Sequence, residues 1–553
     1  MASPLQLITG EQDLGSSDIP LQYQTRLLLA LKTQNSITRN MRLKDGGPNP
    51  LFLAIGTQGY YVQSQILRVP QRFGVFSPGP PLLQVHQASF LTFLVILFAV
   101  EFFLSSTQSQ RMAHQAHNIP WTVLASTLKL KTTNSCQHHA QNFHVRKEPD
   151  RSKKLTYFAN AFVKNALDHA RCERDKYPKT YDPPADDDVV ISDEVAKTIE
   201  PTVYRWRLYH DAPDEFDTVQ EPKKHGICQH MKPDETCQCP LPFKERKMSA
   251  FLNPHTYNSC YEFYRHNRDG FFNLEVVKSL LLYGEMDTIL RVCAAEYIDL
   301  ENWWEQSQCA CMQPDLGWDK ICRLAIDSYI LLNLIQCFPG TWDNAGIPSD
   351  AYTSIKAYQY VVRHCTKSGW TSDIATYPHR QFFGIEKGQF KSYPTPHDIG
   401  RWGHLLEGKY QDMTYYPYGL MPYQEFLDFE KPMGYQPHAT DVTHVQWILC
   451  QRGLPPELAD AILDEADYTP KRRLRVADQP LHPENRADLE SYLKYCWQLI
   501  VRCTMMGQAL GMDMELLLGN MIRLSIGDLF ICKCAKIHHW TFDDKDRDLL
   551  VFK

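Results

Sequence analysis

The sequence lacks the compact catalytic motifs that can be recognised in a single chain. It contains no GxSxG nucleophile elbow, no GxxxxGK(S/T) phosphate loop, no GxGxxG dinucleotide fingerprint and no HExxH metal-binding helix. Each of these motifs holds a reactive or phosphate-binding group at a fixed spacing. Without them, the sequence predicts a protein that is not an enzyme and that needs no cofactor for catalysis.

An excess of positive charge is also missing. Lys and Arg number 58 against 64 Asp and Glu, which leaves a formal net charge of -6. Affinity for nucleic acid depends on cations placed against phosphates, so no nucleic-acid partner is expected. Hydrophobic residues make up 43% of the 553-residue chain, which is enough to build sizeable cores in several domains.

The features of a secreted protein are absent as well. Residues 1–20 contain three acids and no base, unlike a secretory signal. No Asn-x-Ser/Thr sequon occurs, and the 17 cysteines are dispersed through segments of helical character instead of being crowded into a short disulfide scaffold. These observations favour an intracellular protein, either cytoplasmic or nuclear.

The first 150 residues differ in composition from the rest of the chain. Residues 1–88 are rich in Gln, Ser, Gly and Pro and are predicted to be disordered. Residues 89–105 include the apolar run "SFLTFLVILFAVEFFL", slightly shorter than the roughly 20 residues that span a bilayer. This segment is a single membrane span, a buried helix or a run without native structure. Residues 106–150 are predicted to be a basic, polar linker.

Apolar residues recur at helical spacing after residue 150. Leu155, Phe158 and Phe162 lie on one face of a first helix. In a later helix Asn273 and Gly284 are the expected N-cap and C-cap, and residues 321–337 are apolar on nearly every face, which predicts an interior helix. The fold class is therefore predicted to be mainly α, without a run of alternating residues long enough for a sheet.

These patterns predict an irregular multi-helix C-terminal body with long loops, behind a disordered N-terminal region. The boundaries follow changes in periodicity and proline content. The predicted segments are a helix with an acidic, Cys/His-rich linker (151–249), a helical domain (250–370), an aromatic, loop-rich segment (371–437) and a C-terminal helical domain (438–553).

One cluster of side chains has the chemistry of a zinc site. The stretch "HGICQHMKPDETCQC" supplies His225, Cys228, His230, Cys237 and Cys239. Zinc takes four tetrahedral ligands from Cys sulfur and His nitrogen, and short paired spacings let one loop supply two of them. The spacing matches no named finger, so the alternatives are a structural zinc site and unligated thiols in a loop.

The stretch "RGLPPELADAILDEADYTPKRRL", residues 452–474, has the chemistry of a helix start. Two prolines preset the backbone dihedral angles for a first helical turn. Glu457 lies in that turn, where its negative charge interacts favourably with the positive end of the helix dipole. Leu454, Leu458 and Ile462, with Ala461 and Ala466, are predicted to form one apolar face. In "TPKRRLR", residues 469–475, the cations Lys471, Arg472, Arg473 and Arg475 are either a nuclear-import or phosphate-binding patch or part of a solvated connector.

The same residues resemble two groups of proteins. "LPPEL" is similar to the first helix of an F-box, which implies docking on the adaptor of a cullin-type ubiquitin ligase through Leu454, Pro455, Leu458 and Ile462. The longer block "GLPPEL" with "HPENR" and "YLKYCWQL" resembles uncharacterised proteins of filamentous fungi, which implies no activity.

The sequence thus favours a non-enzymatic, intracellular fungal protein that binds an unidentified protein partner through an F-box-like helix. Two alternatives stay open. The first is a regulatory protein stabilised by zinc at 225–239, and the second is a protein anchored to a membrane by residues 89–105.

Overall fold

The computed structural model describes residues 118–133, 140–146, 148–211, 241–252, 268–305, 317–342, 351–368, 373–390, 418–419, 422–428 and 433–530. All of them lie within one compact unit of the chain, Met112–Lys553. The predicted disordered region 1–88 and the apolar segment 89–105 are outside the described residues and stay predictions. Among the described helices, none has both the length and the apolar character required to cross a bilayer.

The described part of the chain is mainly helical, as the apolar periodicity predicts. Its α-helices, in chain order, are α1 Trp121–Thr127, α2 Arg151–Arg174, α3 Asp193–Asp211, α4 Arg268–Tyr283, α5 Met286–Cys293, α6 Asp319–Cys337, α7 Lys356–Thr366, α8 Asp373–Phe383, α9 Tyr423–Asp428, α10 Ala439–Gln451, α11 Pro456–Glu465, α12 Arg486–Ala509 and α13 Met514–Phe530. Short 3-10 turns occur at Phe243–Arg246, Met248–Leu252, Pro339–Thr341, Ala351–Ser354 and Pro483–Asn485.

Helix α6 lies at the centre of the body. It is buried from Asp319 to Ile335 apart from Arg323, and it packs against α7, α8, α12 and α13. A helix that is apolar on all sides avoids water only when other helices surround it. The interior position predicted for residues 321–337 is therefore confirmed.

An aromatic cluster joins four helices at this centre. Trp121 of α1 and Phe158 and Phe162 of α2 meet Tyr329 of α6 and Trp497 of α12, with ring centroids 5.3–6.5 Å apart. Most pairs are edge-on or tilted, the arrangements that the ring quadrupole favours. Large aromatic side chains from distant parts of the sequence thus pack together at the centre of the body.

A two-stranded β-hairpin differs from the sequence prediction. Strands β1 Leu128–Thr133 and β2 Ala140–Val145 pair antiparallel, with Leu130 opposite Phe143, inside the region 106–150 that was expected to be a linker without sheet. Its Phe143 is fully buried. The Asn142 side chain donates to Leu529 O and accepts from Ala357 N, both at 3.0 Å. Because Asn142 bonds to both α7 and α13, the hairpin is part of the body.

Two further details change the predicted outline. Helix α4 begins at Arg268, so Asn273 is not an N-cap but an interior residue whose amide donates to Ala250 O. Gly284 does end the helix, with a φ of +82° that L side chains rarely adopt. Helices α8 and α9 lie inside the segment 371–437, which was expected to be loop-rich.

Candidate functional site

Helices α10 and α11 pack against each other as a helical hairpin, which we call the 439–465 hairpin. His438 is the N-cap of α10 and forms a reciprocal capping box: its ring accepts from Thr440 N at 3.2 Å, while Asp441 Oδ2 accepts from His438 N at 2.9 Å. Gly453, with a φ of +90°, separates the two helices. Pro455 and Pro456 then start α11, as the sequence predicts.

The hairpin has a small core of its own. Ile448 of α10 and Ala459 and Leu463 of α11 are buried, but they do not belong to the main hydrophobic core of the body. Gln446 Nε2 donates to Asp460 Oδ1 at 2.6 Å and adds a polar link between the helices. The hairpin is therefore a satellite unit, and little of its apolar surface is used for attachment.

The apolar face predicted for α11 is rotated away from the interior. Ala459 and Leu463 are the buried residues, whereas Leu458 is 54% exposed, Pro455 is exposed, and Leu454 and Ile462 are half-buried. All four residues predicted to bind a partner are consequently at least partly accessible. No described residue covers Leu458 in the way a core leucine would be covered.

Trp447 of α10 adds a second accessible apolar side chain. Its ring is 56% exposed and stacks on His444 at 5.6 Å between centroids. Sequence reasoning missed this residue. One signal in the sequence could have found it. Asp441, Val445 and Ile448 share one side of α10 by helical spacing, and Trp447 does not lie on that side, so its large ring is expected on the outer side of the helix.

Helix α11 is also strongly acidic. Glu457, Asp460, Asp464 and Glu465 are exposed, and the helix contains no Lys or Arg. Asp460 is bonded to Gln446, as described above. The side-chain carboxylates of Glu457, Asp464 and Glu465 make no hydrogen bond or ion pair with the described residues. The hairpin thus presents apolar side chains beside unpaired carboxylates.

A buried arginine closes the base of the hairpin by joining the chain segments that enter and leave it. Arg472, 6% exposed, forms an ion pair with Asp441 Oδ2 at 3.0 Å and lies over the Tyr435 ring at 5.5 Å. Burial, with a hydrogen bond to Asp441, raises the pKa of Tyr435, so the hydroxyl stays a donor to that carboxylate. The guanidinium also donates to the backbone carbonyls of Gln436, Leu474 and Arg475.

The other cations of "TPKRRLR" also contact the protein. Lys471 pairs with Asp467 at 2.6 Å, Arg475 pairs with Glu484 at 3.5 Å, and the Arg473 guanidinium donates to Gln381 Oε1 at 3.5 Å. The segment is therefore not a freely solvated connector. Between Ala466 and His482 the chain contains no helix, whereas an F-box has further short helices after its first.

A histidine–aspartate pair lies in the body, apart from the hairpin. His364 Nδ1 is 3.0 Å from the buried Asp327 Oδ2, and His364 Nε2 faces Lys320 Nζ at 3.5 Å. Burial and the Lys320 ammonium lower the pKa of His364. The adjacent Cys365 thiol points to Ser328 Oγ at 3.2 Å, and burial raises its pKa well above the usual range. These contacts do not join a nucleophile to the histidine.

The predicted zinc ligands His225, Cys228, His230, Cys237 and Cys239 lie outside the described residues. Within the part of the chain that is described, no three His, Cys, Asp or Glu side chains are grouped as a metal site requires. The zinc hypothesis therefore stays a prediction from the sequence.

Comparison with known protein families gives a match. A family model described as "Gramillins biosynthetic cluster protein GRA5" matches residues 122–525, which begin within α1 and end within α13. No curated protein matches the chain, and no solved structure does. The match agrees with the resemblance to a fungal protein group, and the F-box resemblance is not shown.

Proposed function

We propose that the chain, which belongs to the fungal family of the Gramillins biosynthetic cluster protein GRA5, serves such a biosynthetic cluster as a non-catalytic protein. In this role it binds a protein partner through the 439–465 hairpin. The exposure of Leu458 and Trp447 on a separately packed hairpin is the observation that carries this proposal. Tryptophan is enriched among the residues that contribute most to binding at protein interfaces.

The attachment of the hairpin supports the same function. Arg472 and Asp441 hold its base, while its outer residues make few contacts with the body. A preorganised surface loses little conformational entropy when it binds. The free buried thiols Cys322 and Cys503 fit a reducing compartment, and we propose the cytoplasm or nucleus as the place of this interaction.

Substitution of one exposed leucine tests the proposal against a matched control. Leu458→Asp should abolish capture of a specific protein from the source lysate, because a buried, unpaired carboxylate is costly at an interface. Leu516→Asp on α13 changes a leucine of nearly the same exposure, 55% against 54%, and should retain that protein. Far-UV circular dichroism of both variants should match the wild type.

Two outcomes would contradict this proposal. One is the loss of the same protein from both variants, and the other is its retention by both. An adaptor of a cullin-type ligase is the partner that the F-box resemblance implies. Direct binding of purified adaptor to wild type, with loss in Leu458→Asp, would support that narrower identity, and the absence of binding would refute it.

A zinc-stabilised regulatory protein is the second candidate, and it is supported by the spacing of the sequence at 225–239. Metal analysis of the purified full chain should find about one zinc per molecule on this hypothesis. Cys237→Ser should remove the metal, whereas Cys172→Ser, at an exposed thiol of α2, should not. A metal-free wild-type chain would refute the hypothesis.

A further inference from the structure

We infer that the 439–465 hairpin binds a basic, amphipathic helical segment of its partner. This inference rests on the proposed function and names the chemistry of the occupant. Its first support is the composition of α11, in which four exposed acids accompany Leu458 and Ile462 without any cation. A complementary surface must supply positive charge beside apolar side chains.

The helical geometry gives the spacing of these charges. Leu458, Ala461, Ile462 and Glu465 form one row, because residues three, four and seven apart lie on the same side of a helix. Glu457 and Asp464 are also seven residues apart and flank that row on one side, separated by about 10 Å along the axis. Two cations placed two turns apart on a partner helix match this distance.

Two of these four acids lie at the end of α11, where the helix dipole does not favour them. Its last turn carries Asp464 and Glu465 and no base, although the carboxyl end of a helix dipole favours cations. Lys471, the nearest cation along the chain, pairs with Asp467 and with Glu386. The unpaired carboxylates at this end thus destabilise the isolated helix slightly, and cations from a partner would remove the penalty.

The same charges argue against other occupants. Unpaired carboxylates repel phosphates, so neither nucleic acid nor an anionic lipid surface matches this face. On the other helix of the hairpin, the exposed Trp447 ring has a face that attracts Lys or Arg. A protein segment that combines Lys or Arg with Leu-type side chains can pair with the carboxylates and cover the exposed apolar side chains.

A synthetic peptide of about four helical turns, with Leu on one face and Lys on the other, is the probe. Its binding to the full chain is measured by fluorescence anisotropy, beside a matched Leu/Glu peptide. The Lys peptide should bind and the Glu peptide should not. The double variant Glu457→Lys/Asp464→Lys should weaken binding about tenfold, and raising the salt from about 0.05 to 0.5 M should do the same.

The control reverses two exposed acids elsewhere, Glu490→Lys and Glu515→Lys on α12 and α13, and changes the net charge by the same amount. This control should bind like the wild type, and equal weakening would overturn the inference as non-specific attraction. A specific lysate partner lost only in Leu458→Asp, together with no binding of the Lys peptide, would refute the basic occupant while leaving the proposed function standing.

Discussion

At the scale of the residue, the body contains ionisable side chains that are almost completely buried. Glu275 is 2% exposed and forms an ion pair with Lys278 at 2.5 Å, and its Oε2 atom accepts no hydrogen bond from the described residues. Burial raises the pKa of Glu275 to about 7. A raised carboxyl pKa means that the folded protein holds a proton which the unfolded chain releases at lower pH.

The raised pKa of Glu275 makes the folded protein less stable as pH rises. Between about pH 4.5 and 7 the folded state binds more protons at Glu275 than the unfolded state, so the free energy of unfolding falls as pH rises. Glu275→Gln removes that contribution. Relative to this variant, the free energy of unfolding of the wild type should fall by up to about 3 kcal/mol between about pH 4.5 and 7, as measured by urea unfolding.

The comparison between the two proteins is needed because other buried groups titrate as well. Burial lowers the pKa of His379 to about 3, which makes stability fall when pH drops below about 6.5 in both proteins. Parallel stability curves for the wild type and Glu275→Gln would contradict the assignment to Glu275.

At the scale of the element, the 439–465 hairpin depends on Arg472. Arg472→Met keeps most of the aliphatic stem but removes the guanidinium that pairs with the buried Asp441 carboxylate. Breaking a buried ion pair costs about 3–5 kcal/mol. We expect the free energy that protects the amides of 439–465 from hydrogen exchange to fall by about this amount. The amides of α6 and α12 should keep their protection, because the small core of the hairpin is separate from the main core.

Arg475→Met is the control within the same segment. Arg475 and Glu484 are both largely exposed and 3.5 Å apart, so their pair should contribute less than about 1 kcal/mol. Equal effects of the two substitutions, or loss of protection throughout the body in Arg472→Met, would show that Arg472 is not a local attachment point.

At the scale of the whole molecule, the helical body is completed by residues that precede residue 150. Helix α1 and the β-hairpin contribute Trp121 and Phe143 to the core, and Asn142 links α7 to α13. The family match begins at residue 122, within α1. The region that the family model matches thus includes the rest of α1 and the β-hairpin, the 439–465 hairpin and the later helices as far as residue 525.

The sequence alone determined the helical class, the interior position of α6 and the start of α11 at its two prolines. These features depend on local properties: a period of 3.6 residues, apolarity on all sides, and the preset backbone of proline. The alternating "LKLK" of β1 was a local signal too, but a two-stranded pair is short and its stability depends on packing against α7 and α13.

Only the tertiary structure decided which face of α11 stays exposed and that Arg472 is buried instead of solvated. A helical pattern states which residues share a side of the helix, but not which neighbour covers that side. Tyr435 and Asp441, 37 and 31 residues before Arg472 in the chain, create its site. Contacts between residues so far apart depend on the whole fold, and no local pattern in the sequence encodes them.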